Sequence, residues 1–157
     1  MNASIVCVGH LKDQWQKEAC GEYLKRLSRF GTYTIKETDD LPEPDHPSAG
    51  AEKIVKEKEG KQILKQIHPG DRVIALCIDA YAPNSVRLAA YLNDLSGRGK
   101  CVFVIGGSLG LSEEVLERAD EKLSLSNLTF PHAIARVLLL EQLYRCEKIN
   151  AGERYHK

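Results

Sequence analysis

The chain of 157 residues is the size of one domain, and its 22 Lys and Arg balance its 22 Asp and Glu. Any nucleic-acid partner must therefore be held by a local basic patch, because a neutral chain has no overall positive field to attract it. No apolar run approaches the ~18 residues that a membrane helix needs, and the first residues lack the basic start and long apolar stretch of a signal peptide.

Apolar periodicity predicts five strands that alternate with five helices. In chain order these are strand 4–10, helix 12–29, strand 32–38, helix 51–67, strand 71–80, helix 84–99, strand 101–107, helix 112–120, strand 121–127 and helix 130–149. Alternation of this kind predicts an α/β fold, a mostly parallel sheet with helices on both faces, formed by 1–157 as a single domain.

The first half of the chain carries specific packing predictions. The apolar stripes of the first two helices are expected to be Trp15, Ala19, Tyr23 and Leu27, and Ile54, Ile63, Leu64 and Ile67. Segment 32–38 alternates and is predicted to be an edge strand, and the three prolines and one glycine of 40–50 predict a loop. Gly60 is expected to be a weak point of its helix.

The cysteines and histidines show no pattern typical of a disulfide framework or a metal site. Five cysteines are an odd number, and no two are spaced C-x-x-C. Cys7, Cys77 and Cys101 lie in strand-like runs, where a free cysteine acts as a small buried hydrophobe. We therefore predict reduced thiols in a cytoplasmic protein. The histidines have no ligand spacing, so we predict no metal site.

The stretch "VFVIGGSLGLSEEV" at 102–115 joins a buried strand to an acidic helix through two glycines, with Ser112 as the predicted N-cap. A strand, a glycine turn and a helix often bind a nucleotide. The stretch has neither G-x-G-x-x-G nor the Lys-Ser/Thr of a P-loop. Two interpretations stay open at this point: backbone space for a ligand, or a tight turn without one.

Two further strand ends lead into loops, one at 76–79 and one within "LSLSNLTFPHAIAR" at 123–136. Ligands of parallel sheets bind at the carboxyl ends of strands. Backbone N–H and C=O groups in such loops would suit an adenine edge and ribose hydroxyls. The pattern therefore favours a neutral nucleoside over a polyphosphate.

The last helix is apolar around most of its circumference. A helix of this kind is buried, and in a chain this short its burial predicts a partner subunit. Arg136 lies within the apolar run, and its alternatives are a structural ion pair at the dimer interface or a substrate role. Glu141 and Arg145 are spaced as an i,i+4 ion pair.

Several motifs together closely resemble the small bacterial SPOUT-class methyltransferases of the RlmH family. They are "VFVIGGSLGL", "LSLSNLTFPHAIARVLLLEQLYR" and the terminal "YHK", with "VGHLKD" and "KEKEG" nearer the start. The resemblance runs over essentially the whole chain. It implies a C-terminal trefoil knot, a homodimer, and S-adenosylmethionine as methyl donor. It further implies methylation of N3 of a pseudouridine in 23S ribosomal RNA within the 70S ribosome.

The resemblance also implies site residues, carried over by position. The implied cofactor contacts are Leu76, Gly106, Leu125, Ser126, Asn127, Leu128, Thr129 and Phe130. Other matching positions are Pro131, His132, Arg136, Tyr144, Arg145, Tyr155 and His156. The family's tail is thought to complete the site of the partner subunit.

Methylation at N3 requires loss of the imide proton and stabilisation of the resulting anion. The catalytic candidates are His156, Tyr155 and Arg136. His156 is a candidate base, with an RNA contact as its alternative, and Arg136 or Arg154 is a candidate for stabilising the anion. His132 is expected to cap or pack a helix start. No cysteine nucleophile is needed.

RNA contacts are expected from two basic clusters. Their members are Lys25, Arg26 and Arg29 on the first helix, and Arg145, Lys148, Arg154 and Lys157 at the end of the chain. The tail 150–157 has no apolar stripe, so we expect little order in it from packing alone.

Two other functions fit parts of the pattern. One is a SPOUT enzyme that methylates tRNA, although such enzymes usually carry an added RNA-binding domain for which this length leaves no room. The other is a ribosome-binding protein that keeps the fold without catalysis.

Overall fold

The computed structural model describes all 157 residues. The strands are β1 Ala3–Val8, β2 Tyr33–Thr38, β3 Arg72–Leu76, β4 Cys101–Ile105 and β5 Glu121–Leu123. The helices are α1 Gln14–Leu27, α2 Ala49–Leu64, α3 Ser85–Leu95, α4 Glu113–Arg118 and α5 His132–Asn150. All ten predicted elements are present in the predicted order, and the α/β fold class is confirmed.

The five strands form one sheet in the order β2-β1-β4-β3-β5, and every pair is parallel. β2 lies at an edge, as its alternating pattern predicts. The central strands β1 and β4 are buried along their whole length, because helices cover both faces of the sheet. Parallel strands end at the same edge, so the carboxyl ends of β4, β3 and β5 are neighbours there.

The two faces of the sheet carry separate apolar layers. Ile5 and Cys7 of β1 point into a large layer formed with α1, α3 and α5. Val6 and Val8 point into a smaller layer formed with α2 and α4. The alternation follows from the two-residue period of a strand. Burial of each such Val or Ile side chain contributes about 1.5–3 kcal/mol.

The two predicted apolar stripes are confirmed except at their first residues. The predicted Leu27 and Ile63 are buried, and Tyr23, Leu64 and Ile67 pack against the core. Trp15 is 54% exposed, and the buried residues of α1 are Cys20 and Leu27. Ile54 is 53% exposed, and Ile63 is the buried aliphatic residue of α2. Helical spacing places a residue on the stripe but does not show how far along the helix the core extends.

Gly60 is a packing position and not a weak point. A Cβ atom at Gly60 would lie 3.1 Å from Ser112 Cβ and 3.3 Å from Val115 Cγ2. The Ser112 hydroxyl accepts a hydrogen bond from the Val115 N–H at 3.3 Å and caps α4. The missing side chain therefore allows α2 to approach the capped start of α4.

The long helix α5 packs between α1 and α3. Its buried residues are Arg136, Leu139, Leu140, Leu143 and Cys146. Its other apolar side chains, such as Ile134 and Leu138, are partly exposed in the single chain. Coverage of this surface by a partner remains a prediction. None of the five helices combines the length and apolar character that crossing a membrane requires.

We predict that Gly60→Ala destabilises the protein, although alanine usually stabilises a helix interior by about 1 kcal/mol over glycine. The added methyl displaces the Ser112 cap and crowds Val115, which together cost about 1–2 kcal/mol net. Gly21→Ala in α1 is the matched control, because a Cβ at Gly21 meets nothing within 4 Å. Urea unfolding should show lower stability for the first variant and higher stability for the second. Equal stabilisation by both would contradict the packing role of Gly60.

Candidate functional site

The three predicted cofactor segments meet at one edge of the sheet. Leu76 at the end of β3 lies opposite Leu123 at the end of β5. On the other side of β3, Ala75 lies opposite Val104, so Gly106 follows at the same level. The structure thus places Leu76, Gly106 and the loop 124–130 side by side.

Serine side chains shape the loop after β5. The Ser124 hydroxyl donates to the Ser126 carbonyl at 2.8 Å, and the Ser126 hydroxyl accepts from the Leu128 N–H at 3.1 Å. The Ser124 N–H donates to the Tyr81 carbonyl at 3.0 Å and links this loop to the one after β3. These local bonds replace strand pairing, which is why β5 ends at Leu123 and not at 127 as predicted.

The loop 124–130 combines apolar side chains with polar ones. Leu128 is 69% exposed, while Leu125 and Phe130 are half-buried. Asn127 and Thr129 are exposed beside them. Apolar surfaces of this kind can cover the faces of a flat base, while neighbouring polar groups recognise its edge. This combination of apolar and polar side chains fits an adenosine-like group.

The glycine turn is compact. Gly110 has φ +87°, and its N–H donates to the Gly107 carbonyl at 3.1 Å. A Cβ at Gly106 would lie 2.9 Å from the carbonyl carbon and oxygen of Gly110. Glycine is thus required at 106 by the turn itself, as the tight-turn interpretation expects. A larger residue there would displace the turn as well as any ligand against it.

Arg136 is 1% exposed and is committed to contacts within its own chain. Its guanidinium pairs with Glu37 and donates to the Gly9 carbonyl at 3.0 Å. Of the two alternatives for Arg136, the structure shows the ion pair. The pair joins α5 to the ends of β1 and β2 within one chain and does not lie on an exposed surface. His132, also at the start of α5, packs against Gly9: a Cβ there would lie 3.4 Å from His132 Nε2.

Glu37 also links this pair to the surface. His10 bonds Glu37 through Nδ1 and Asp39 through Nε2, both at 2.9 Å. Partial burial opposes ionisation of Glu37, but hydrogen bonds from His10 and Arg136 prevail and lower its pKa. The bonds to Asp39 and Glu37 raise the His10 pKa above 6.5. The charged His10 therefore stabilises the fold below pH 6.5, and this contribution is lost as pH rises through the raised pKa.

The tail is held by packing, contrary to the expectation from its composition. The Tyr155 ring lies edge-on to Tyr144 with centroids 5.0 Å apart, and its hydroxyl donates to Glu141 at 3.3 Å. The Arg145 guanidinium lies 4.7 Å from the centroid of the Tyr155 ring. Glu153 pairs with Lys148 and with Arg29, which follows the end of α1. The last two residues, His156 and Lys157, are exposed.

The predicted basic clusters form one surface, which we call the tail surface: the end of α1, the end of α5 and residues 151–157. Arg26 lies 5.8 Å from the centroid of the Tyr144 ring, and Arg29 pairs with Glu153. Lys25, Arg154 and Lys157 form no ion pair within the chain. Aromatic rings and unpaired cations together suit contact with RNA.

The tail surface lies at the opposite edge of the sheet from the candidate cofactor loops. The start of α5 bonds Gly9, just after β1, whereas Glu147 near its end bonds Tyr33 at the start of β2. The 19 residues of α5 span about 28 Å. The structure therefore brings the cofactor segments together but leaves the candidate side chains Tyr155 and His156 remote from them in the same chain.

All five cysteines are free. Burial raises the pKa of the Cys7 thiol to about 12, with Arg136 opposing the shift. Burial likewise raises the pKa of Cys146 to about 12. Cys77, next to the candidate cofactor residue Leu76, is the one cysteine that is only partly buried. No cluster of three or more His, Cys, Asp or Glu side chains is placed to hold a metal ion.

Comparison with known proteins identifies one family and several full-length relatives. The family model described as "Predicted SPOUT methyltransferase" matches residues 1–156. Three curated proteins named "Ribosomal RNA large subunit methyltransferase H" are similar over 100% of both chains. Identity is 51% for Clostridium novyi (strain NT), 49% for Clostridioides difficile (strain 630) and 47% for Bacillus pumilus (strain SAFR-032).

One solved structure is similar in fold. It is described as "a probable methylase family protein from Haemophilus influenzae Rd KW20". The alignment covers 99% of this chain and 70% of that chain, with a TM-score of 0.55 and 14% identity. At this identity the similarity shows the fold alone.

We predict that a thiol reagent modifies only Cys77 in the native protein. The other four thiols are at most 3% exposed, and a thiol that stays protonated and buried does not react. Titration with a chromogenic disulfide should therefore release one equivalent before unfolding and four more in urea. Cys77→Ser is the control and should release none before unfolding. Rapid native reaction of a second thiol would contradict the burial described above.

Proposed function

This chain belongs to the SPOUT methyltransferase family, and on that premise we propose that it methylates the RNA of the large ribosomal subunit. The observation that carries the proposal is full-length similarity, at about half identity, to three proteins named for that activity. We further propose that the methyl donor is S-adenosylmethionine and that the acceptor is N3 of a pseudouridine in 23S RNA of the assembled 70S ribosome. Because the proposed substrate is the 70S ribosome, we also propose a cytoplasmic location.

The candidate cofactor site is the edge formed by Leu76, Gly106 and the loop 124–130. Leu125, Leu128 and Phe130 would cover the adenine, and backbone groups of the loop would recognise its edge and the ribose. The two serine bonds described above hold the loop in one shape before binding, which reduces the entropy lost when a ligand binds. When bound, the cofactor supplies an electrophilic sulfonium methyl group.

We propose a homodimer in which each tail completes the site of the partner. A chain's own tail surface lies about one helix length from its own cofactor loops, so it does not contribute to the same site. Two α5 helices packed antiparallel through their partly exposed apolar sides would place each tail beside the partner's loop. Such an arrangement is two-fold symmetric and buries the same patch on both chains. The family also leads us to propose a trefoil knot in the C-terminal part.

Within this site the exposed tail residues act on the RNA. His156 accepts the imide proton from N3, which makes that nitrogen nucleophilic. Arg154 stabilises the anion that forms, and Tyr155, whose ring packs on Tyr144 and Arg145, holds the exposed tail residues in place. Lys25 and Lys157, which form no ion pair within the chain, hold phosphates. Arg145 pairs with Glu141 and packs on the Tyr155 ring beside them. Because Arg136 is enclosed, we assign it the task of fixing the start of α5 against Gly9 and Glu37 and not that of touching RNA.

Purified protein should bind S-adenosylmethionine in calorimetry and transfer one methyl group per 70S ribosome taken from a strain that lacks this gene. Mass spectrometry of nuclease fragments should place the group on a pseudouridine of 23S RNA. Protein-free 23S RNA and total tRNA are the controls and should accept little. Methylation of tRNA alone would contradict the proposed substrate, and ribosome binding without transfer would identify a silent member of the fold.

His156→Ala should leave thermal stability unchanged, because the imidazole is exposed, but reduce methyl transfer by about 10²-fold or more through loss of the base. Gly106→Val should lose cofactor binding, because the valine displaces the turn. Neither homodimer should be active, whereas a one-to-one mixture after subunit exchange should regain about a quarter of the wild-type rate. Circular dichroism checks that both variants fold. A mixture as inactive as its components would contradict a site shared between subunits.

A further inference from the structure

Glu59 in α2 is a buried carboxylate that pairs with no cation. The residue is 3% exposed. Its Oε1 accepts a hydrogen bond from the Leu41 N–H at 3.0 Å, while its Oε2 has no partner. Burial raises the pKa of this carboxyl, the negative Asp40 adds to the shift, and the Leu41 bond partly opposes it. An enclosed polar group with an unsatisfied oxygen lowers stability, so stability does not account for a carboxyl at this position.

The unpaired oxygen lies directly beneath the glycine turn. A Cβ at Gly107 would be 3.0 Å from Glu59 Oε2 and 3.2 Å from Val8 Cγ1. The carboxyl therefore occupies space that a side chain at 107 would need. Gly107 is also the residue whose carbonyl accepts from Gly110 and closes the turn.

The same carboxyl connects the turn to the loop that follows β2. Leu41, which donates to Glu59, belongs to this loop, and so does Glu43, which accepts from the Ser108 hydroxyl at 2.7 Å. The next residue of α2, Gly60, packs against the Ser112 cap. Helix α2 thus supports the segment 106–112 near both ends of that segment, at Gly107 and at Ser112. The loop after β2 is bonded to the segment between them, at Ser108.

We propose that Glu59 is a positioning residue for cofactor binding: its carboxyl holds Leu41 and supports Gly107 from below, and so fixes the shape of the turn at 106–110. This role rests on the proposed function, because it requires that the turn contact S-adenosylmethionine. Glu59 itself is enclosed and touches no reacting atom. Its effect is on how well the turn is preorganised, which determines cofactor affinity.

Three substitutions separate positioning from simple packing. Glu59→Gln keeps an acceptor for the Leu41 N–H and the size of the side chain. Glu59→Met keeps the approximate volume but has no acceptor for that N–H. Glu57→Gln is the matched control on the same helix, at a residue that pairs only with Lys53 on the surface. Each variant is tested as the full chain for urea stability, for cofactor affinity by calorimetry, and for the KM of cofactor and of 70S ribosomes.

Glu59→Met should weaken S-adenosylmethionine binding and raise its KM by about tenfold, without a matching change in the KM for ribosomes. Glu59→Gln should restore affinity to within about threefold of wild type, and Glu57→Gln should match wild type. Unchanged cofactor affinity in a folded Glu59→Met protein overturns the proposal, and so does an equal rise in both KM values.

If Glu59→Met does not fold, Glu59→Asp decides. This variant keeps a carboxyl group but withdraws it from Leu41 and Gly107, so cofactor affinity should fall while the ribosome KM stays the same. Wild-type affinity in Glu59→Asp overturns the positioning role. The proposed function fails separately, on the wild-type protein, if S-adenosylmethionine does not bind at all.

Discussion

The parallel direction of all five strands is the constraint on which the arrangement of this protein depends. Every loop that follows a strand leaves at the same edge of the sheet. The order β4-β3-β5 then makes the glycine turn and the loops after β3 and β5 neighbours there. Every helix must then run back to the opposite edge. α5 does so last and carries the tail with it. One direction of strand pairing thus gathers the loops at one edge and leaves Tyr155 and His156 at the other.

The sequence predicts the strands and helices of this fold well. Strands and helices have different apolar periods, and each apolar run is long enough to show which period it follows. The sequence predicts the order of the strands in the sheet less well. Strand order depends on pairings between distant segments, such as β1 with β4, and local pattern carries no trace of them. The same limit explains Trp15, which has the spacing of its stripe but lies outside the core.

The candidate site likewise has a part that the sequence predicts and a part that it does not. Motifs identify Leu76, Gly106 and the loop 124–130, and adjacent strand ends bring these segments together. Composition did not show that Tyr155 packs on Tyr144 or that Arg136 is enclosed by Glu37 and Gly9. Both contacts join residues far apart in the chain. Glu59 lies in the "KEKEG" motif, but the motif assigned it no role. The proposed role comes from the position of its carboxyl oxygen beneath Gly107.

The central place of β1 has a consequence for how this chain is made. β1 precedes the other strands in the chain and can pair with β2 once residues 33–38 are made, but its other edge pairs with β4. About 60 residues separate the end of β2 from the start of β4, which at ribosomal speeds takes roughly 3–12 s. Throughout that interval β1, a mostly apolar strand, has one edge of unpaired N–H and C=O groups, the kind of edge that joins other chains. The nascent protein is therefore most prone to aggregate before residue 101 emerges, and chaperones that cover open strands would act on it in that interval.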